Sequence, residues 1–389
     1  MENIIGAVRY GIKISKKEKN PDKRVTYIHD AKDLQPARMN FDTGVFEYGS
    51  WQGRAFAAPE NNYPCMVKAD GTEDYKLMQE DYTKREDGAA SDAENTEYAG
   101  NAMAAFKGGW LCQYETETDE YIIWSNVKYD DAYNARHRKA KDGSIREGFY
   151  RHIYMPALID GKARSISGAE IMGGFTAQQE RQLCRANGEA WEQSTWQQWN
   201  YIICLLKIMA KTDDLQAAYG YGNCDNPAWE ALPTGTLNDK GQFYGSREKD
   251  KQVKVFHTEA LWGDKWERLA GLIVDNGTVK VHTYGEYNFT GQGYKSVYRY
   301  IIRSFDYGFV DGTVMTPYGR FPVSFNGGRH EYTADYGAID AEIVSVPLVG
   351  GCNAGLYCGA CVALHSTASY AGWSIAPGLS CIMPNTAEQ

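Results

Sequence analysis

The stretch Val349–Cys381, VGGCNAGLYCGACVALHSTASYAGWSIAPGLSC, constrains this chain more than any other. Gly350 and Gly351 open it, and Gly355, Gly359 and Gly378 interrupt it at uneven intervals. Glycine weakens a helix by backbone entropy, and β-branched and aromatic residues lose rotamer freedom there. The stretch is therefore read as short strands joined by turns. Its centre, HSTASYAGWS, is too polar for a buried strand. What remains is a rigid scaffold carrying small polar and aromatic side chains outward, which is the chemistry of a binding face.

Upstream, the first hundred residues alternate as strands do in GAVRYGIKI and RVTYIHD, split by the charged turn KKEKNPDK. QEDYTKREDGAASDAENTEYAG is polar enough to be an exposed excursion. GGWLCQYETETDEYIIWSNVKY predicts two strands around an acidic turn. Two helices follow. Thr176 with Gln179 forms a capping box, and Asn187-Gly188 supplies a stop. The second begins at Ser194 and places Trp196, Trp199, Ile203, Leu206 and Ala210 on one face. Arg181 and Trp191 are expected as ion-pair and core residues. After Asp250, Asn276-Gly277 between alternating apolar runs is the strongest hairpin signal, because a type I′ turn needs positive φ at both positions. The fold class expected from these signals is α+β: two helices packed on short antiparallel strands with much loop, preceded by a β-rich N-terminal region. The division predicted is 1–100 for that region and 101–389 for the ligand-binding domain.

Composition narrows function. With 41 basic and 50 acidic residues the net charge is −9, which argues against a phosphate-tracking nucleic-acid binder. No apolar run reaches the roughly 18 residues of a spanning helix, so no membrane insertion is expected. The N-terminus lacks the apolar region and cleavage site of a secretory signal. Nine cysteines at irregular spacing do not form a disulfide framework. Aromatics reach 13 %, with ten Trp and 28 Tyr, side chains that give large contact area at low entropic cost.

Three segments in order, LWGDKWERLAG (Leu261–Gly271), SFNGGRHEYTADYGA (Ser324–Ala338) and GGCNAGLYCGACVAL…GLS, resemble the C-type-lectin fold of the formylglycine-generating-enzyme type. Within it the chain is most similar to variable proteins of diversity-generating retroelements, such as receptor binders of bacteriophages. The likeness covers roughly Gly100 to the C-terminus, with a departure at Cys352-Asn353, where many members carry Trp. It implies a C-terminal frame whose selected positions are rewritten by adenine-specific mutagenesis. The ligand-binding positions implied are Asn353, Tyr357, Cys361, Ala363, His365, Ser366, Thr367, Tyr370, Gly372, Trp373 and Ser374. The frame implied is Trp262, Gly263, Trp266, Gly350, Gly351, Gly355, Gly359 and Gly378, continuing into Leu379 and Ser380. Tyr332, Asp335 and Tyr336 are expected to brace it.

The resemblance implies binding without catalysis, with no cofactor and no metal. The partner implied is a surface protein or glycan of a host cell, together with other virion proteins and a homo-oligomer, often a trimer. No coiled-coil heptads are visible. With no export signal expected, a phage virion made in the host cytoplasm is favoured over an exported bacterial surface adhesin. The alternative of a different class is a copper-dependent oxidase of the formylglycine-generating type, whose glycine pair GGCNAG resembles and whose cysteine pair the tail cysteines would have to supply. Separately, Cys358-Gly-Ala-Cys361 is a C-x-x-C, the pattern of a redox dithiol or half a zinc site, but without two further ligands at zinc spacing.

Overall fold

The computed structural model describes residues 6–228, 230–300, 305–325, 335–351 and 358–385. Among them are twenty-seven strands and only three α-helices, so the expected α+β arrangement of two helices on short strands is corrected to a β-rich architecture. The short strands had no helical period and weak alternation, and their sheets become visible only through long-range pairing.

Three sheets carry the structure. In the first, Arg9–Ser15 lies between Val25–His29 and Asp119–Ser125, with Trp110–Glu115 beyond, all antiparallel. The second has seven strands, ordered Trp191–Gln193, Leu379–Ile382, Gly148–His152, Gly100–Lys107, Asn62–Lys68, Glu73–Met78 and Asp81–Arg85. The third has ten strands and holds the tail strand Gly359–Ser366 between Val344–Gly350 and Tyr336–Asp340. Strands from either side of residue 100 share the first two sheets. Asn62–Lys68 pairs along its length with Gly100–Lys107, two places from the C-terminal strand Leu379–Ile382.

Local signals place the helices. Helix α1, Ala177–Arg185, starts from Thr176 with the complete Thr176–Gln179 capping box. Arg181 reaches from it to Glu192 at 2.8 Å, and Trp191 is fully buried. Helix α2, Trp196–Ala210, starts two residues later than the expected Ser194, with Thr195 as cap and Gln198 completing the box. It is not amphipathic in use. All fifteen residues are buried, as expected for a helix that sheets surround rather than flank. Its polar side chains are met inside: Asn200 Nδ2 donates to Gln113 Oε1 at 2.7 Å, and Lys207 reaches Asp213 at 2.7 Å. A buried polar group with a partner avoids most of its desolvation penalty. Helix α3, Leu215–Tyr219, follows at once.

Asn276 (φ 46°) and Gly277 (φ 73°) turn the hairpin between Leu272–Asp275 and Thr278–Val281, as the Asn-Gly pair predicts. The polar excursion is largely exposed, as expected, but it is not without regular structure. It contains the edge strand Asp81–Arg85, whose Tyr82 is fully buried and hydrogen-bonds the His257 ring. One hydrophobic core joins Tyr10, Trp51 and Trp124 to Trp199, Trp262 and Leu364.

Candidate functional site

The frame is built by Leu261–Gly271. Trp262 is fully buried and donates from Nε1 to the Gly220 carbonyl at 3.0 Å. Asp264, also buried, accepts from Asn223 Nδ2 at 2.6 Å, Leu232 N at 2.8 Å and Gln252 Nε2 at 2.8 Å. The strand Trp266–Arg268 then runs antiparallel to Val344–Gly350 and parallel to Ile375–Pro377. It thereby joins the segments on either side of the variable stretch. Trp266 N donates to the Ser374 carbonyl at 2.8 Å.

Arg268 does the most anchoring. It is fully buried, lies 2.7 Å from Glu180 Oε2 and donates from Nη2 to the Tyr370 carbonyl at 2.8 Å. An exposed loop is thus held from below by a charged group that cannot move without unpairing a buried carboxylate. Neither Glu180 oxygen accepts a well-aligned hydrogen bond from the described residues, and burial, opposed by Arg268, raises its carboxyl to about 7. The folded chain therefore holds this proton more tightly than the unfolded chain, whose value is near 4.5, and stability falls as pH rises between the two. Glu180→Gln is expected to flatten that part of the profile. Melting temperatures across this interval check it, and an unchanged slope overturns it.

The glycines of the frame are there for space. A Cβ on Gly378 would sit 1.9 Å from Glu267 Oε1, and one on Gly351 would sit 2.7 Å from the Cys358 Cα. Gly263, Gly350 and Gly359 are crowded in the same way, and Gly355 lies outside the described residues. Asp335 accepts from Ala360 N at 3.1 Å, bracing the tail strand as expected.

The tail positions divide into three groups. Ala363, Ser366 and Gly372 are buried, which corrects their placement on the surface. Gly359–Ser366 is an interior strand with both faces covered: Val362 and Leu364 join the main core, while Ala363 packs with Ala338, Leu348 and Ile375. Cys361, His365, Thr367 and Ser374 are half-buried. Burial, then Asp335, pushes the Cys361 thiol up to about 12, so it stays protonated at neutral pH. Tyr370 and Trp373 stand out at 57 % and 53 % exposure. Asn353 and Tyr357, like the bracing candidate Tyr332, lie outside the described residues.

Two contributors escaped the sequence reading. Phe305 and Tyr307 are exposed on the strand Phe305–Thr316, which pairs with Tyr336–Asp340 beside the tail strand. The Phe305 ring lies 5.2 Å from Tyr307 and 5.9 Å from His365, and Tyr307 lies 6.3 Å from Tyr336. The alternation Phe305-Asp306-Tyr307-Gly308-Phe309 was the available signal, with aromatics at period two on one face. Between His365 and the 367–374 loop is a cleft of about 380 Å³, also lined by Trp266, Leu348 and Ile375. No family model matches the chain, and no curated protein matches it.

Proposed function

We propose that this chain is a hypervariable ligand-binding protein whose tail surface is rewritten by a retroelement and serves as a phage virion host-attachment protein. The resemblance of the tail and of Leu261–Gly271 to that group suggests it. The observation that carries it is physical: Tyr370 and Trp373 are exposed on a loop whose backbone is fixed by Arg268 and Trp266. Large rings on a pre-ordered loop lose little entropy when they bind. Side chains on such a loop can change without disturbing what holds it, because the ties run through Tyr370 and Ser374 carbonyls that any residue has. The partner is a surface protein or glycan of the host cell.

A Tyr370→Ala, Trp373→Ala double variant is expected to bind bacterial cells at least about tenfold more weakly, at an unchanged melting temperature. Labelled protein on a panel of strains measures this, and equal binding by the variant sinks the reading. The diversification itself is checked in the DNA downstream of the gene. A near-copy of the segment encoding Gly350 to Ser380 is expected beside a reverse transcriptase, differing from the gene where the copy has adenine. A copy with differences scattered over all four bases would count against it.

A further inference from the structure

We propose that the cleft between Trp266 and Tyr370 is a subsite for a neutral saccharide ring, an inference that rests on the receptor-binding reading above. Its volume of about 380 Å³ falls within the range of small-ligand sites, roughly 300–1,000 Å³. Three features select the ligand. First, no lining side chain carries a fixed charge. His365 is held below its ordinary pKa, chiefly by burial, and is neutral at neutral pH. A carboxylate, phosphate or ammonium group would find no counter-charge there.

Second, the walls are mixed in the way a pyranose is mixed. Trp266, Leu348 and Ile375 offer an apolar surface and Tyr370 an exposed ring, suited to the C–H face of a sugar. Thr367 and Ser374 line the same cleft, and their hydroxyls both donate and accept as sugar hydroxyls do. Third, two polar atoms of lining residues are unpartnered. His365 Nδ1 and Ser366 Oγ are shielded from water and make no hydrogen bond with the described residues. Buried polar groups are otherwise nearly always paired. Both atoms are closed off from the cleft, so a ligand hydroxyl meets them only after a side chain of the wall has moved, and it then gains a bond without stripping water from the protein side. An apolar side chain from a protein partner would leave both unmet.

The experiment is saturation-transfer NMR on the full chain with the methyl glycosides of glucose, galactose, mannose and N-acetylglucosamine, and with glucuronate as the charged control. At least one neutral glycoside is expected to receive saturation and glucuronate none. Tyr370→Ala is expected to weaken binding about tenfold, equivalent to one lost aromatic contact. Ser366→Ala is expected to weaken binding too, while leaving the melting temperature unchanged or higher, because it removes an unpaired buried group. No transfer to any glycoside, or transfer indifferent to Tyr370→Ala, overturns the subsite. A second measurement separates this from the parent reading: labelled protein is applied to bacterial cells treated with periodate or with protease. Loss of binding after periodate alone supports the subsite. Loss after protease alone overturns it and leaves receptor binding standing.

Discussion

An Asp213→Ala variant is expected to lose roughly 3–5 kcal/mol of stability, the usual penalty for stranding buried charge. Asp213 is fully buried just after α2 and faces three cations. Lys207 Nζ lies 2.7 Å away, Arg320 approaches both oxygens at 2.8 and 3.1 Å, and Arg24 Nε lies at 3.5 Å. Arg320 also meets Glu120 at 2.7 Å. Removing Asp213 would take away the carboxylate that these three cations share in a low-dielectric interior. Against a total of about 5–15 kcal/mol for a folded domain, that loss is severe, and the urea midpoint should fall accordingly. A midpoint within experimental error of the parent would show that the cluster is already neutralised in another way.

The same cluster fixes a pH dependence. Burial alone would push the Asp213 carboxyl up, but Arg320, Lys207 and Arg24 outweigh it and hold it well below the carboxylate range. Its contribution is therefore fully present above the ordinary value of 3.8 and is lost progressively as pH falls below that value. The difference in stability between the parent and Asp213→Ala should narrow on acidification. A gap that stays constant to low pH would assign the stabilisation to shape rather than charge.

That cluster also shows where sequence reading stops. The Thr176–Gln179 capping box and the Asn276-Gly277 turn are decided by residues a few positions apart, and both were legible. The Thr195–Gln198 box is as local but was passed over for a start at Ser194, and the acid that pairs with Arg181 lies eleven positions on, at Glu192. Arg24, Arg320 and the Lys207–Asp213 pair meet from three distant places, with no period linking them. Without the Gln113 and Asp213 that receive Asn200 and Lys207, the polar residues of α2 look like a solvent face. An amphipathic helix was the natural expectation, and with it a helix-on-sheet fold. In the tail, polarity alone could not separate Tyr370, which is exposed, from Ser366, which is buried. That distinction depends on which strand of a sheet is interior. The Leu261–Gly271 motif was legible as a support, but its means of support, Arg268 gripping a carbonyl 102 positions away, was not.

A fragment starting at residue 101 is expected not to fold, although the resemblance to a known fold begins near there. Deleting what precedes it removes the partner of Gly100–Lys107 on one side, Asn62–Lys68, and opens that strand as a sheet edge. It also strips Arg9–Ser15 from Asp119–Ser125 across seven paired positions. Both new edges would present unpaired backbone groups, and exposed edges of this kind drive aggregation. Tyr10, Trp51 and Phe56 leave the core at the same time, each of them nearly or fully buried. Buried aromatic side chains cost about 3–5 kcal/mol each when truncated, so the loss exceeds any plausible reserve of stability. Arg24 is lost from the Asp213 cluster as well. The fragment is expected in inclusion bodies or as an expanded species without near-ultraviolet circular dichroism. A soluble fragment with a cooperative thermal transition would refute this and restore residue 100 as a domain boundary. The consequence reaches the question of assembly: any trimer must be sought by light scattering on the whole chain, because in the fragment aggregation would masquerade as association.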